Sequence, residues 1–232
     1  MGDISIIARR LPDGHVQYGW GGNGGYFKNV GSRLLRWYNN PDKIEYLFSL
    51  GGLSILGAPG SENGGYNLFE TNRRTGTPHD LGTTERDIFS KIAFIDYGYF
   101  YDLDQTWYYV IPGPFRIKLP LQLVKNHLDE NDYEFKYLTE IQRNLITYIF
   151  QNYLTEAPEL QEILKQNSYN GDEILKELLC KDYPIHAFYE KYKNLFRYFD
   201  DWVLVSTNKE CTEITGFKMQ KKTETHIETI EW

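Results

Sequence analysis

The segment between residues 92 and 111 constrains this chain more than any other. Ile95, Tyr97, Tyr99 and Tyr101 fall on alternate positions, and Trp107, Tyr108, Tyr109 and Val110 follow after Asp102-Leu103-Asp104-Gln105. Aromatic and β-branched residues at period two, interrupted by a polar run rich in Asp, specify two strands joined by a turn. Strands are therefore expected at 92–101 and 106–111, with the alternating rings of the first on one face. A hairpin this apolar must be covered by other elements.

The flanking sequence provides them. Residues 3–10 and 15–20 read as a second pair of strands joined through Pro12-Asp13-Gly14. A glycine-dense loop, Gly21-Gly22-Asn23-Gly24-Gly25, leads to a helix predicted over 27–39, with Val30, Leu34, Leu35 and Tyr38 on one face. Asn40 before Pro41 has the form of an N-cap and first helical position, opening a second helix that Gly51-Gly52 stops after Leu50. Residues 57–82 are rich in Gly, Asn, Thr and Pro and read as a long loop, with a short helix expected from Thr83 or Thr84.

From Leu119 the apolar period becomes helical. Leu138, Ile141, Leu145, Tyr148 and Ile149 make one stripe, and Phe188, Tyr192, Leu195, Phe196 and Phe199 another. Ala157-Pro158 opens a helix, and Asn170-Gly171-Asp172-Glu173 has the form of a capping box. Two strands, Trp202 to Ser206 and Glu213 to Met219, return at the end. The expected fold is α+β. An antiparallel hairpin sheet with packed helices spans 1–118, an acidic helical region spans 119–200, and C-terminal strands over 201–232 pack on the rest.

Charge is unevenly placed. The net charge is −7, yet residues 1–118 hold 12 basic and 12 acidic side chains, while residues 119–200 hold 9 and 14. Net acidity argues against direct binding of duplex nucleic acid, which needs a basic face; it serves solubility first and also permits attraction to a basic protein or nucleoprotein complex. Only two cysteines occur, Cys180 and Cys211, in neither a CxxC nor a Cys/His cluster, so no disulfide framework is expected. The N-terminal residues lack the basic and apolar regions of a signal peptide, and Ile6 stands where a myristoylation motif takes Ser or Thr. No apolar run approaches a membrane span. A cytoplasmic protein without membrane attachment is the expectation.

Several groups of residues are candidates for chemistry or binding. Gly19-Trp20-Gly21-Gly22-Asn23-Gly24 matches G-x-G-x-x-G, but it follows the second arm of a hairpin and not the first strand of a βαβ unit. An anion nest or a simple tight turn remain open for it. Asn23-Gly24-Gly25-Tyr26 recurs as Asn63-Gly64-Gly65-Tyr66, either as two turns that each present a Tyr or as two lips of one site. Arg73-Arg74 suits a phosphate or carboxylate, and His79-Asp80 is a His–carboxylate pair in the long loop. The candidate binding set is Tyr18, Trp20, Asn23, Tyr26, Lys28, Asn63, Tyr66, Arg73, Arg74, His79 and Asp80. No nucleophile, metal-ligand spacing or cofactor motif completes a catalytic site, so no cofactor is expected and catalysis is not favoured.

Residues 1–118 resemble a family of small phage and mobile-element proteins of unknown function. Its pattern opens G-T-R-S-x-I, passes a D-G turn, reaches Y-C-H-W-D-G-Y-P-E-x-V-G and continues into a helix with L-L-x-x-Y. Gly2, Ser5 and Ile7 match the opening, Asp13-Gly14 the turn, Gly25-Tyr26 and Val30-Gly31 the central motif, and Leu34-Leu35 with Tyr38 the helix. Lys43, Glu45, Leu47, Leu50-Gly51, Leu53-Ser54 and Leu56-Gly57 fit the second helix and its end, and Tyr99 to Asp102 with Trp107 fit the later hairpin. The family's H-W-D is replaced by Gly22-Asn23-Gly24 and its early Arg by Ile4. The resemblance thus implies a retained scaffold without the ionisable residues. It points to a phage-encoded, non-enzymatic binding protein in the host cytoplasm, of the kind that inhibits a host defence nuclease complex, such as an anti-CRISPR. The alternative is binding or hydrolysis of a nucleotide-like ligand at the glycine loop.

Overall fold

The computed structural model describes residues 4–21, 24–49, 56–59, 97–111, 116–128, 134–153, 158–180, 182–196, 202–222 and 227–231. The chain divides into two compact units, one of Met1–His127 with Val203–Lys218 and Glu231–Trp232, the other of Leu128–Trp202 with Met219–Ile230. The fold is α+β, as the sequence predicts.

The first unit is built on a mixed sheet. β1 (Ser5–Arg10) and β2 (Val16–Gly21) form the first hairpin, and β3 (Tyr97–Tyr101) and β4 (Trp107–Ile111) the aromatic one. β5 (Arg116–Pro120) pairs antiparallel with β4, so Tyr109 faces Leu119 and Val110 faces Lys118. The strand order is β2-β1-β3-β4-β5, followed by β6 (Trp202–Thr207) and β7 (Ile214–Lys222). β1 and β3 lie parallel, with Ile7 opposite Tyr99. A parallel pair needs a long crossover, and α1 (Val30–Trp37) and α2 (Pro41–Ser49) lie within it.

The helical pattern expected from Leu119 starts slightly later. Leu119 is a strand residue, and α3 (Leu121–His127) begins directly after Pro120. Ile117 and Leu119 alternate around Lys118, a period-two signal too short to stand out beside Leu121 and Leu123. α3 is tied to the turn between β6 and β7, where Asn126 Nδ2 donates to the carbonyls of Glu210 and Cys211 at 3.1 and 2.9 Å.

One face of the sheet carries Ile7, Tyr99, Tyr109 and Leu119 under α1–α3. Tyr99 Oη donates to the Gly25 carbonyl at 2.7 Å, and Trp107 Nε1 donates to the Tyr38 carbonyl just past α1 at 2.7 Å. Tyr38 is itself buried, with its hydroxyl on the Gly57 carbonyl at 2.7 Å, and burial raises its pKa above the ordinary tyrosine range. Arg9 forms an ion pair with Glu45 of α2 at 2.5 Å and lies over the Phe48 ring at 4.8 Å. The opposite face is buried too, through Ile6, Ala8, Phe100, Tyr108 and Val110. Double-sided burial explains why β4 reads as a continuous apolar run and why Ile6, Ile7 and Ala8 of β1 are apolar without alternation. Asn40 caps α2 as expected, its Oδ1 accepting from the Lys43 amide at 3.0 Å.

The second unit is helical, with α4 (Glu134–Tyr153), α5 (Pro158–Gln166), α6 (Gly171–Leu179), α7 (Ile185–Lys191) and α8 (Lys193–Phe196), joined by the end of β7 and by β8 (Ile227–Glu231). Ile141, Leu145, Phe150, Ile174, Leu178 and Phe188 form its core. The Phe150 and Phe188 rings meet edge-on at 6.4 Å. Asn170 Oδ1 accepts from the Asp172 and Glu173 amides at 2.9 and 3.4 Å, which starts α6 at Gly171. The second half of a capping box is absent, because Glu173 accepts from Lys191 at 2.8 Å. At the other end of α6, the buried Arg143 guanidinium donates to the carbonyls of Leu178, Cys180 and Tyr183 at 2.8, 2.9 and 2.6 Å.

Candidate functional site

Two features of the first unit combine side chains that binding or chemistry can use. The first lies at the end of the sheet where Ser5 faces Gly21. Trp20 stands opposite Ile6, and Ile4 precedes Ile6 by two residues, so Ile4 and Trp20 share a face as diagonal neighbours. The loop after β2 returns to this corner at Gly25. A Cβ on Gly25 would lie 2.9 Å from Ser5 Cβ and 3.1 Å from the Ile4 carbonyl carbon. Tyr26 follows directly. Ile4 and Trp20 are each 42% exposed on the face that carries Ile6, while Tyr26, 41% exposed, follows Gly25, whose carbonyl meets Tyr99 on the opposite face. Tyr18 is buried beneath, in an edge-on contact with Trp20 at 6.4 Å.

Packing explains the glycines here better than ligand access does. Gly24 has φ +67°, and its carbonyl accepts from Asn29 Nδ2 at 2.7 Å. Asn29 therefore does not cap α1 with its side chain, and the amides of Asn29 and Val30 turn to the Tyr26 carbonyl at 3.1 and 2.9 Å. The Asn29 and Val30 amides at the start of α1 are therefore not open to a phosphate.

The second feature is a charged cluster at the far end of β1 and β3. Asp102 accepts from Arg10 Nε at 2.7 Å and from Lys118 Nζ at 2.5 Å. Lys118 is 1% exposed, with its ammonium 4.5 Å from the Phe100 ring centre and 5.0 Å from that of Tyr108. Burial alone would raise the Asp102 pKa, but the hydrogen bond from Arg10 and the charge of Lys118 outweigh it and hold the group at about 2. Tyr108 donates to Asp104 at 2.5 Å, and burial with that bond raises its pKa. A buried lysine and a perturbed carboxylate attract attention as chemistry. Here each charged group is met by an opposite charge or a ring face, which is how a fold holds buried charge in place.

The structure leaves Trp20 exposed beside Ile4, Tyr26 exposed after Gly25 and Lys28 exposed two residues further on, and it buries Tyr18. Asn23, Asn63, Tyr66, Arg73, Arg74, His79 and Asp80 lie outside the described residues. Ile4 joins the corner without having been singled out for binding, since only strand pairing sets it beside Trp20. Among the described residues no three His, Cys, Asp or Glu side chains converge as a metal site requires, and no helix is long and apolar enough to cross a membrane. Comparison with protein-family models, curated proteins and solved structures found no match.

Proposed function

We propose that this chain is a non-enzymatic binding protein of phage or mobile-element origin that docks a host protein or nucleoprotein complex through the Ile4–Trp20 corner. One observation carries the reading: two large apolar side chains, Ile4 and Trp20, each about two-fifths exposed, share one face at the edge of the sheet in the first unit. Meanwhile the ionisable groups Arg9, Glu45, Arg10, Asp102 and Lys118 are held in ion pairs. Aromatic anchors of this kind dominate the centres of protein interfaces. The partner class that best fits the family resemblance and the acidic helical region is a host defence nuclease complex, which the protein would inhibit in the host cytoplasm without a cofactor. The nucleotide-like alternative has less support, because Gly24 and Gly25 pack closely and the Asn29 and Val30 amides bond the Tyr26 carbonyl.

The test uses purified defence nuclease complexes cleaving a target plasmid. Wild-type protein is expected to inhibit one of them stoichiometrically, and Ile4→Ala with Trp20→Ala to abolish inhibition while the protein stays folded. Full inhibition by the double variant would remove the corner from the reading. Tightly bound nucleotide in the purified protein would favour the alternative.

A further inference from the structure

The two hairpin turns at the far end of β1 and β3 are built alike. The Leu11 amide donates to the His15 carbonyl at 2.8 Å, and the Leu11 carbonyl accepts from the Gly14 amide at 2.9 Å. The Asp102 amide donates to the Thr106 carbonyl at 3.1 Å, and the Asp102 carbonyl accepts from the Gln105 amide at 3.0 Å. Asp13 Oδ1 accepts from the His15 amide and Asp104 Oδ1 from the Thr106 amide, each at 3.0 Å. Pro12 thus corresponds to Leu103, and Gly14 to Gln105, at the position that closes the turn with φ +87° and +62°. Glycine takes that conformation freely, while a Cβ there presses on the following carbonyl. The second turn therefore keeps a glutamine where the first relieves the strain with glycine. Gln105 is exposed, and its carboxamide bonds nothing among the described residues. Beside it, Leu103 is 56% exposed, the most exposed large apolar side chain of the first unit among the described residues. One exposed leucine is ordinary on a protein surface. A strained and unengaged glutamine next to it is not.

The two turns are neighbours. β1 and β3 run parallel with Arg9 opposite Tyr101, and Arg10 pairs with Asp102 at 2.7 Å. Arg10 and Lys118 both direct their charge to Asp102. The carboxylates this end presents to solvent are those of Asp13 and Asp104, with His15 against Asp13 at 3.1 Å. We infer that the turns form a second docking surface, which seats a basic polypeptide segment carrying one apolar side chain. This surface is separate from the corner at Ile4 and Trp20, which lies at the other end of β1, about 20 Å away. The partner's apolar side chain covers Leu103, its lysine or arginine meets Asp13 and Asp104, and Gln105 bonds its main chain. Charge complementarity of this kind sets specificity and speeds association. The net charge of −7 draws a basic segment in, and it opposes both the phosphates of a nucleic acid and a second copy of this chain.

The experiment measures fluorescence anisotropy of two labelled peptides titrated with the full chain. The probe is a Lys-rich peptide of about ten residues with one central Leu, and the control carries Ser in place of that Leu. The probe is expected to bind about tenfold more tightly than the control, and to weaken about tenfold or more from about 50 to about 500 mM salt. Leu103→Ser is expected to weaken the probe about tenfold with unchanged thermal unfolding, since the side chain is exposed. Asp13→Asn with Asp104→Asn keeps the acceptors for both turn amides and should remove much of the salt dependence. Gln105→Gly supplies a readout that a merely structural role would not move. Its unfolding midpoint is expected to be no lower than wild type, because relief of the positive φ offsets the greater freedom of glycine in the unfolded chain. The probe should nonetheless bind about threefold or more weakly. Absence of probe binding, equal binding by the Leu103→Ser or Gln105→Gly protein, or equal binding of the control would each overturn the inference. If Ile4→Ala with Trp20→Ala removes nuclease inhibition but not probe binding, both surfaces stand. Loss of probe binding in that protein would move the partner to the corner and overturn the second surface alone.

Discussion

Asp102 shows how much a single residue can determine. In sequence it is the first residue of a turn, and that much is legible from Asp102-Leu103-Asp104-Gln105. Its partners are not, because Arg10 lies 92 positions away and Lys118 sits in a strand whose register only the folded sheet defines. Asp102→Asn keeps the shape but leaves two cations without their carboxylate, one of them fully buried. A loss of about 3–5 kcal/mol in urea-induced unfolding is expected. The pH dependence follows from the same contacts. The folded-state pKa of about 2 is below the unfolded value of 3.8, so the contribution is fully present above about pH 4 and fades as pH falls towards 2. A shift of this size corresponds to about 2 kcal/mol, which acid-unfolding curves of wild type and Asp102→Asn can separate. Gly25 is the other residue whose role needed the fold. A methyl group there would press on main-chain atoms of Ile4 and Ser5 that cannot swing aside, so Gly25→Ala is expected to cost about 1–3 kcal/mol by thermal unfolding.

At the scale of elements, local chemistry was a good guide and neighbours in space were invisible. The Asn40 and Asn170 caps could be read because a cap needs only the next three residues. Asn170→Ala is expected to destabilise the second unit by about 1 kcal/mol, measured by denaturant titration. Arg143 could not be read. It lies within α4, and nothing in its surroundings announces that it closes the C-terminal end of α6. Arg143→Met removes the guanidinium from three carbonyls and is expected to cost about 2–4 kcal/mol, with faster amide exchange concentrated in the last turn of α6. The glycine loop is the instructive intermediate case. Its position between β2 and α1 was legible. Its use was not, since Gly24, the last glycine of the G-x-G-x-x-G spacing, takes φ +67° and Gly25 just after it lies against β1, so the glycines serve the turn and its packing.

At the scale of the molecule, the first unit is discontinuous in sequence. Residues 1–127 form most of it, and Val203–Lys218 return to add the strands beyond β5. The sequence foretold strands after the helices, but order along the chain does not say which edge they join. Deletion separates the contributions. A chain ending at His127 leaves β5 without its next neighbour and is expected to aggregate, as bare strand edges do. Replacing 129–201 with a flexible linker should restore a monodisperse first unit by light scattering. That linker must run the length of β6, about 20 Å, because α3 ends beside the turn between β6 and β7. About eight residues suffice.

The late arrival of β6 also sets an order of events during synthesis. At roughly 5–20 residues per second, the ribosome needs about 4–15 s to pass from His127 to Trp202. Through that interval the nascent sheet ends at β5, while an acidic helical unit is being made on the same chain. The growing protein therefore carries an open strand edge for seconds, long enough for a chaperone or a neighbouring nascent chain to engage it before its own strand does.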